Sequence, residues 1–109
     1  MYIPQRGDVI WLDFNPQAGR EQAGRRPAFV VSPAAYNGKV GLALVCPVTS
    51  RVKGYPFEVL LPAGLAVTGV ILSDQLKSLD WRKRRAEYLC TVPESIIVEV
   101  IKKVEALLR

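Results

Sequence analysis

Apolar and polar positions change their period once along this chain, and the change divides a strand-rich body from a helical end. The run Asp-Val-Ile-Trp-Leu-Asp-Phe at Asp8–Phe14 is apolar at nearly every position of both alternating sets. That predicts a strand covered on both faces, as in the wall of a small barrel. Val9, Trp11 and Asp13 share one face and Ile10, Leu12 and Phe14 the other, with Asp13 at the exit beside a loop. Further strand-like runs occupy 26–32, 41–49, 56–61, 69–73 and 86–92, punctuated by Gly, Pro and Asn. Short strands at this spacing predict a small, strongly curled antiparallel sheet or barrel. From Pro93 the period becomes helical: Ile97, Val100, Ile101, Val104 and Leu108 form one stripe, while Ile96 and Val98 fall off it. Pro93 suits the first helical position, Glu94 the positive end of the helix dipole, and Glu99 with Lys103 an i,i+4 pair. The expectation is a mainly β chain with a C-terminal α-helix, one domain spanning 1–109.

Composition narrows the chemistry. Half of the 109 residues are hydrophobic, enough for a real core and too many for a disordered tail. There is no histidine. That excludes a Ser-His-Asp triad, histidine acid–base pairs and His-ligated zinc, and no convincing metal cluster stands in their place. Cys46 and Cys90 form no Cys-x-x-Cys motif and read as two reduced, buried thiols of a cytosolic protein. The first residues lack the charged-then-apolar order of a signal peptide, and the apolar runs are too short for a membrane span, so a soluble, cytoplasmic chain is expected. Fifteen basic residues against ten acidic ones give +5. The helical end is neutral, so the excess lies on the β portion, largely in three clusters: Arg20, Arg25 and Arg26; Arg51 and Lys53; and Arg82, Lys83, Arg84 and Arg85. Basic clusters on loops and strand edges point to an anionic partner, most simply a nucleic acid.

Two strand ends carry candidate chemistry. Arg26 precedes Pro27, which disfavours helical backbone before it and so holds the arginine extended after a polar connection over 15–25. A planar, permanently charged guanidinium fixed in this way suits a phosphate, although a rim arginine paired to Glu21 or Asp13 has the same sequence. Thr49 and Ser50 end the third strand with adjacent hydroxyls, which on their own equally suit a turn.

The ordered set is more specific than its parts. Gly7-Asp8-Val9-Ile10-Trp11-Leu12-Asp13-Phe14, Glu21-Gln22-Ala23-Gly24, Arg26-Pro27-Ala28, Pro47-Val48-Thr49-Ser50, Lys53-Gly54-Tyr55-Pro56-Phe57-Glu58 and Ser73-Asp74-Gln75-Leu76-Lys77-Ser78 follow one another in that order. The chain thereby resembles the MazF/PemK family of toxin endoribonucleases over nearly its whole length. The resemblance implies a small SH3-like antiparallel β-barrel plus helices. It also implies a homodimer that cuts single-stranded RNA without a cofactor, and a cognate MazE-like antitoxin whose acidic, disordered tail wraps the toxin. Matched residue to residue, it makes Arg26 and Thr49 catalytic and places Glu21 near the scissile site. It assigns RNA contacts to Asp13, Gln22, Arg25, Ser50, Arg51, Lys53, Gln75 and Lys77. The loop around Arg51-Val52-Lys53 departs from the family pattern, which leaves the target motif open.

Chemistry without histidine is feasible because RNA supplies its own nucleophile, the 2′-hydroxyl beside the scissile phosphate. The expected products are a 2′,3′-cyclic phosphate and a 5′-hydroxyl. Arg26 and Thr49 would stabilise the charge that builds on phosphate oxygens; Glu21 is the nearest candidate base, with Asp13 behind it to orient Arg26. Two rival readings stand beside this one: a protein-binding toxin like the gyrase poisons, which resemble the family in fold but lack the arginine–threonine pair present here, and a nucleic-acid-binding barrel whose basic loops grip phosphates without cutting.

Overall fold

The first strand, β1 (Asp8–Phe14), has the bounds its apolar pattern predicts. The computed structural model of the chain describes residues 1–14 and 24–109. Within them the order continues with β2 (Gly24–Val30), α1 (Ala34–Val40), β3 (Leu42–Thr49), β4 (Glu58–Leu60), β5 (Val70–Leu72), β6 (Lys77–Asp80), β7 (Glu87–Thr91) and α2 (Glu94–Leu107). All the strand pairs are antiparallel. The path runs β4-β5-β3-β2-β1-β7, with β6 joined to β3, and among the described strands it is open from β4 to β7 rather than closed into a barrel.

β3 is the strand on which the others converge. Residues 45–47 pair with β2, 42–45 with β6, and Val48 and Thr49 with β5. Both faces of the sheet are covered, as the double apolar parity of β1 requires. Val9 joins Phe29, Cys46, Val48, Val59 and Ile71 under α2, whose Val100 and Val104 are buried. Ile10, Leu12 and Phe14 join Ala28, Val30, Val45 and Trp81 in a second cluster on the other side. Trp11 interrupts this coverage: it shares the face of Val9 but is 36% exposed, so that face opens towards solvent there.

Several sequence expectations need correction. Pro93 is the N-cap of α2 with extended backbone, one residue before the helix. Ile96 packs against the core instead of falling away from it, whereas Val98 is exposed and so is Leu108, which caps the helix end. Cys46 is fully buried, and burial pushes its thiol up to about 12, but Cys90 is only half-buried; both are free thiols.

The helix α1 has no apolar stripe to announce it. It stands on Asn37, which is fully buried: the Asn37 amide donates to the carbonyls of Pro4 (2.8 Å) and Ser32 (3.0 Å), and its oxygen accepts from the Ser32 hydroxyl (2.5 Å). The indole N–H of Trp81 donates to the Asn37 carbonyl at 3.0 Å. Gly41 ends α1 with φ +82°.

Candidate active site

Arg26 and Thr49 come together through strand register. β2 and β3 pair at Val30–Val45, Phe29–Cys46 and Ala28–Pro47. Carrying that antiparallel register two residues further sets Arg26 opposite Thr49, and opposite residues lie on one face. The pairing stops at Ala28–Pro47, beside Pro27, which has no N–H to extend a ladder. A cleft of about 310 Å³ opens there, walled by Arg26, Thr49, Arg25, Ser50, Trp11 and Val67 among others. The exposed face of Trp11 is therefore a wall of the cleft.

The Thr49 hydroxyl is nearly buried and accepts the backbone N–H of Arg51 at 3.2 Å, so its own O–H remains a donor. Beneath it runs Gly69, the residue before β5, with φ +114°. A Cβ added there would sit 2.1 Å from the Thr49 carbonyl oxygen and 2.9 Å from the Ser50 Cα. Only glycine lets the chain pass this close, so Gly69 fixes the height of the Thr49-Ser50 corner.

Thr49 also borders a second, larger cleft of about 510 Å³, shared with Arg51, Lys53, Tyr55, Phe57, Glu58, Leu72, Asp74 and Gln75. The two clefts thus meet at Thr49. Basic and aromatic side chains line the larger one: the Lys53 ammonium lies 5.9 Å from the Tyr55 ring centroid, and Tyr55 is 62% exposed. Tyr55, Phe57, Glu58 and Asp74 were not among the expected site residues, although all four belong to the quoted motifs. Their signal is an aromatic pair interleaved with Lys53 in a loop that ends at a strand.

The remaining expected residues separate into groups. Arg25 lines the small cleft, but its guanidinium donates to Asp13 (3.0 Å), to Glu87 (2.7 Å) and to the Arg85 carbonyl (2.9 Å). Asp13 also accepts two bonds from Arg85, at 2.7 and 3.0 Å. Those hydrogen bonds, Arg85's foremost, hold the Asp13 carboxyl at about 2, well below its ordinary value. The carboxylate expected to orient Arg26 thus binds Arg25 and Arg85, and the third basic cluster is tied to the first. Lys77 sits on β6 opposite Val45 and lines neither cleft. Glu21 and Gln22 lie outside the described residues. No group of three or more His, Cys, Asp or Glu side chains among the described residues is placed to hold a metal ion.

Comparison with known proteins adds independent findings. Residues 5–108 match the family described as PemK-like, MazF-like toxin of type II toxin–antitoxin system. The endoribonuclease toxin MazF of Escherichia coli K12 is 53% identical over 96 residues, covering 87% of this chain and 86% of that protein. The crystal structure of MazF (Form-I) from Deinococcus radiodurans superposes with a TM-score of 0.95 at 60% identity, covering 99% of this chain and 98% of that one. The MazE-MazF (Form-II) crystal structure from the same organism gives 0.90 at 60% identity, covering 99% and 97%.

Proposed function

The chain belongs to the PemK-like, MazF-like toxin family of type II toxin–antitoxin systems, and on that premise we propose how it cuts RNA. It is an endoribonuclease toxin neutralised by a MazE-like antitoxin, in keeping with relatives that carry those names, and it works as a homodimer. The catalytic pair is Arg26 and Thr49. The observation that carries this assignment is the β2–β3 register, which brings the two residues to one cleft from opposite strands.

Single-stranded RNA lies through the joined clefts with its scissile phosphate over Thr49. The adjacent 2′-hydroxyl attacks phosphorus, the 5′-oxygen leaves, and the products are a 2′,3′-cyclic phosphate and a 5′-hydroxyl. As the bond forms, charge gathers on the non-bridging oxygens. A guanidinium and a hydroxyl fixed at strand ends stabilise that charge at no cost in reorganisation. A guanidinium is permanently charged, so Arg26 serves as stabiliser and hydrogen-bond donor to the leaving oxygen rather than as base, and that oxygen takes its proton from solvent. Glu21 is the candidate base. The reaction needs no metal-activated water, because the nucleophile is internal to the substrate. Ser50, Arg51, Lys53 and Gln75 contact the RNA along the clefts, which the antitoxin's acidic tail occupies when it inhibits. With messenger RNA as substrate, the toxin acts in the cytoplasm; no helix among the described residues is long and apolar enough to cross a membrane.

The test is cleavage of a long, unstructured RNA in EDTA. Arg26→Ala and Thr49→Ala should each lower kcat by about 100-fold or more while the thermal midpoint holds. A substrate with 2′-deoxyribose immediately 5′ of the cut should resist. Activity of both variants within about threefold of wild type, roughly 0.7 kcal/mol in barrier, would refute the assignment. Loss of wild-type cleavage in EDTA, or normal cutting of the deoxy substrate, would refute the mechanism.

A further inference from the structure

A carboxylate on the wall of a cleft built for a polyanion needs explaining. Glu58 stands at the start of β4 and lines the larger cleft, yet its two oxygens face the backbone of the loop before it. Oε1 accepts the N–H groups of Lys53 (3.2 Å) and Gly54 (2.9 Å), and Oε2 accepts that of Lys53 (3.2 Å). Gly54 has φ +80°, the left-handed backbone with which successive N–H groups form an anion-binding concavity. From α2, the Lys103 ammonium donates to the carbonyls of Pro56 (2.5 Å) and Glu58 (3.2 Å), both nearer than its i,i+4 partner Glu99 at 3.7 Å. The N–H of Ser73 closes the loop's end on the Phe57 carbonyl at 3.1 Å. The polar backbone of the loop is thus gripped by a carboxylate at its tip and by an ammonium from the helix.

We propose that Glu58 and Lys103 are positioning residues that hold the 51–57 loop in its cleft-lining shape, presenting Arg51, Lys53 and Tyr55 to the substrate. This rests on the RNA-cleaving reading above. The negative charge of Glu58 is spent on backbone N–H groups, so it orders the loop more than it repels phosphate. Ordering the loop before RNA arrives removes an entropic cost from binding. The effect belongs to substrate affinity and leaves the chemical step at Arg26 and Thr49 alone.

Steady-state cleavage and amide hydrogen exchange test this together. Glu58→Ala should raise KM about tenfold, the scale of one charge-assisted hydrogen bond, with kcat within about twofold. It should also speed exchange at the Lys53 and Gly54 amides. Glu58→Gln keeps one neutral acceptor oxygen and should restore both readouts in part. Lys103→Met, which keeps the Glu58 carboxylate and its bonds to the loop, should raise KM in the same direction, and Lys103→Arg should restore it. A lower KM in both Glu58→Ala and Glu58→Gln would overturn the proposal, since the carboxylate would then act by repulsion alone. Unchanged KM and exchange in Glu58→Ala and Lys103→Met, or a fall confined to kcat, would overturn it too. Wild-type protein that cuts no RNA would instead sink the functional reading, while the exchange data would still decide whether Glu58 orders the loop.

Discussion

Asp13 carries two guanidinium groups on one carboxylate, and its position at the end of β1 makes that grip a clasp. Arg25 reaches it from β2 and Arg85 from the turn before β7. Arg85 adopts φ +55°, left-handed backbone that costs a non-glycine residue about 1–2 kcal/mol, so the turn is held against its own preference. The carboxyl sits at about 2, chiefly through Arg85, against an ordinary value near 3.8. As pH falls through that window the unfolded chain takes its proton first, so the stabilisation is complete at neutral pH and lost between about 4 and 2. Urea midpoints of wild type and Asp13→Asn should therefore differ at pH 6 and converge only as the pH approaches about 2; parallel profiles would show that the clasp adds nothing. The residue was legible in sequence as an acid beside a loop. Its partners were not, because Arg85 lies 72 positions away and reaches Asp13 only once β1 and β7 are paired.

At the scale of elements, α2 was legible from its helical period, β1 from an unbroken apolar run, and β2, β3, β4, β5 and β7 from short runs punctuated by Gly, Pro and Asn. The α1 segment Ala-Ala-Tyr-Asn-Gly-Lys-Val has Gly38 in its middle and a buried asparagine in place of an apolar stripe, so its helix depends on partners from Pro4, Ser32 and Trp81. β6 is four residues of mixed polarity, defined by its pairing with β3 rather than by any alternation of its own. The site divides likewise. Arg26 and Thr49, the proposed pair, were legible as polar residues at strand ends within an ordered set of motifs, and they wall one cleft. Glu58 was legible only as part of a motif, since its work lies in backbone N–H groups that no side-chain pattern reveals. Gly69 is the sharpest case of a residue whose role is to be absent. Gly69→Ala forces a positive φ and a collision with the Thr49 carbonyl, so the start of β5 must push the Thr49-Ser50 corner away from Arg26. We expect kcat to fall by more than about tenfold, with a loss of roughly 1–3 kcal/mol in stability. Cleavage rates and denaturant midpoints measured on the same preparations check this; full activity with unchanged stability would contradict the close approach.

For the whole molecule the governing quantity is charge. Each chain carries +5, and a dimer doubles it. RNA affinity should fall with salt on a log–log slope of about −0.7 for each phosphate contacted. An acidic antitoxin tail laid along the same clefts should weaken with salt as well. Titrating tail peptide against a non-cleavable RNA across a salt series checks the shared site: each should displace the other at every ionic strength, and simultaneous binding would refute it. Another whole-molecule property follows from β3, whose single backbone pairs with β2, β5 and β6. Losing this one strand strips β2, β5 and β6 of a partner at once, so the two ends of the sheet are joined through a single shared backbone. Melting should accordingly be all-or-none, and the slowest-exchanging amides should cluster in β3. A toxin that loses its fold in one step has no half-open species to linger with a working cleft, so heat or a protease silences it in a single event.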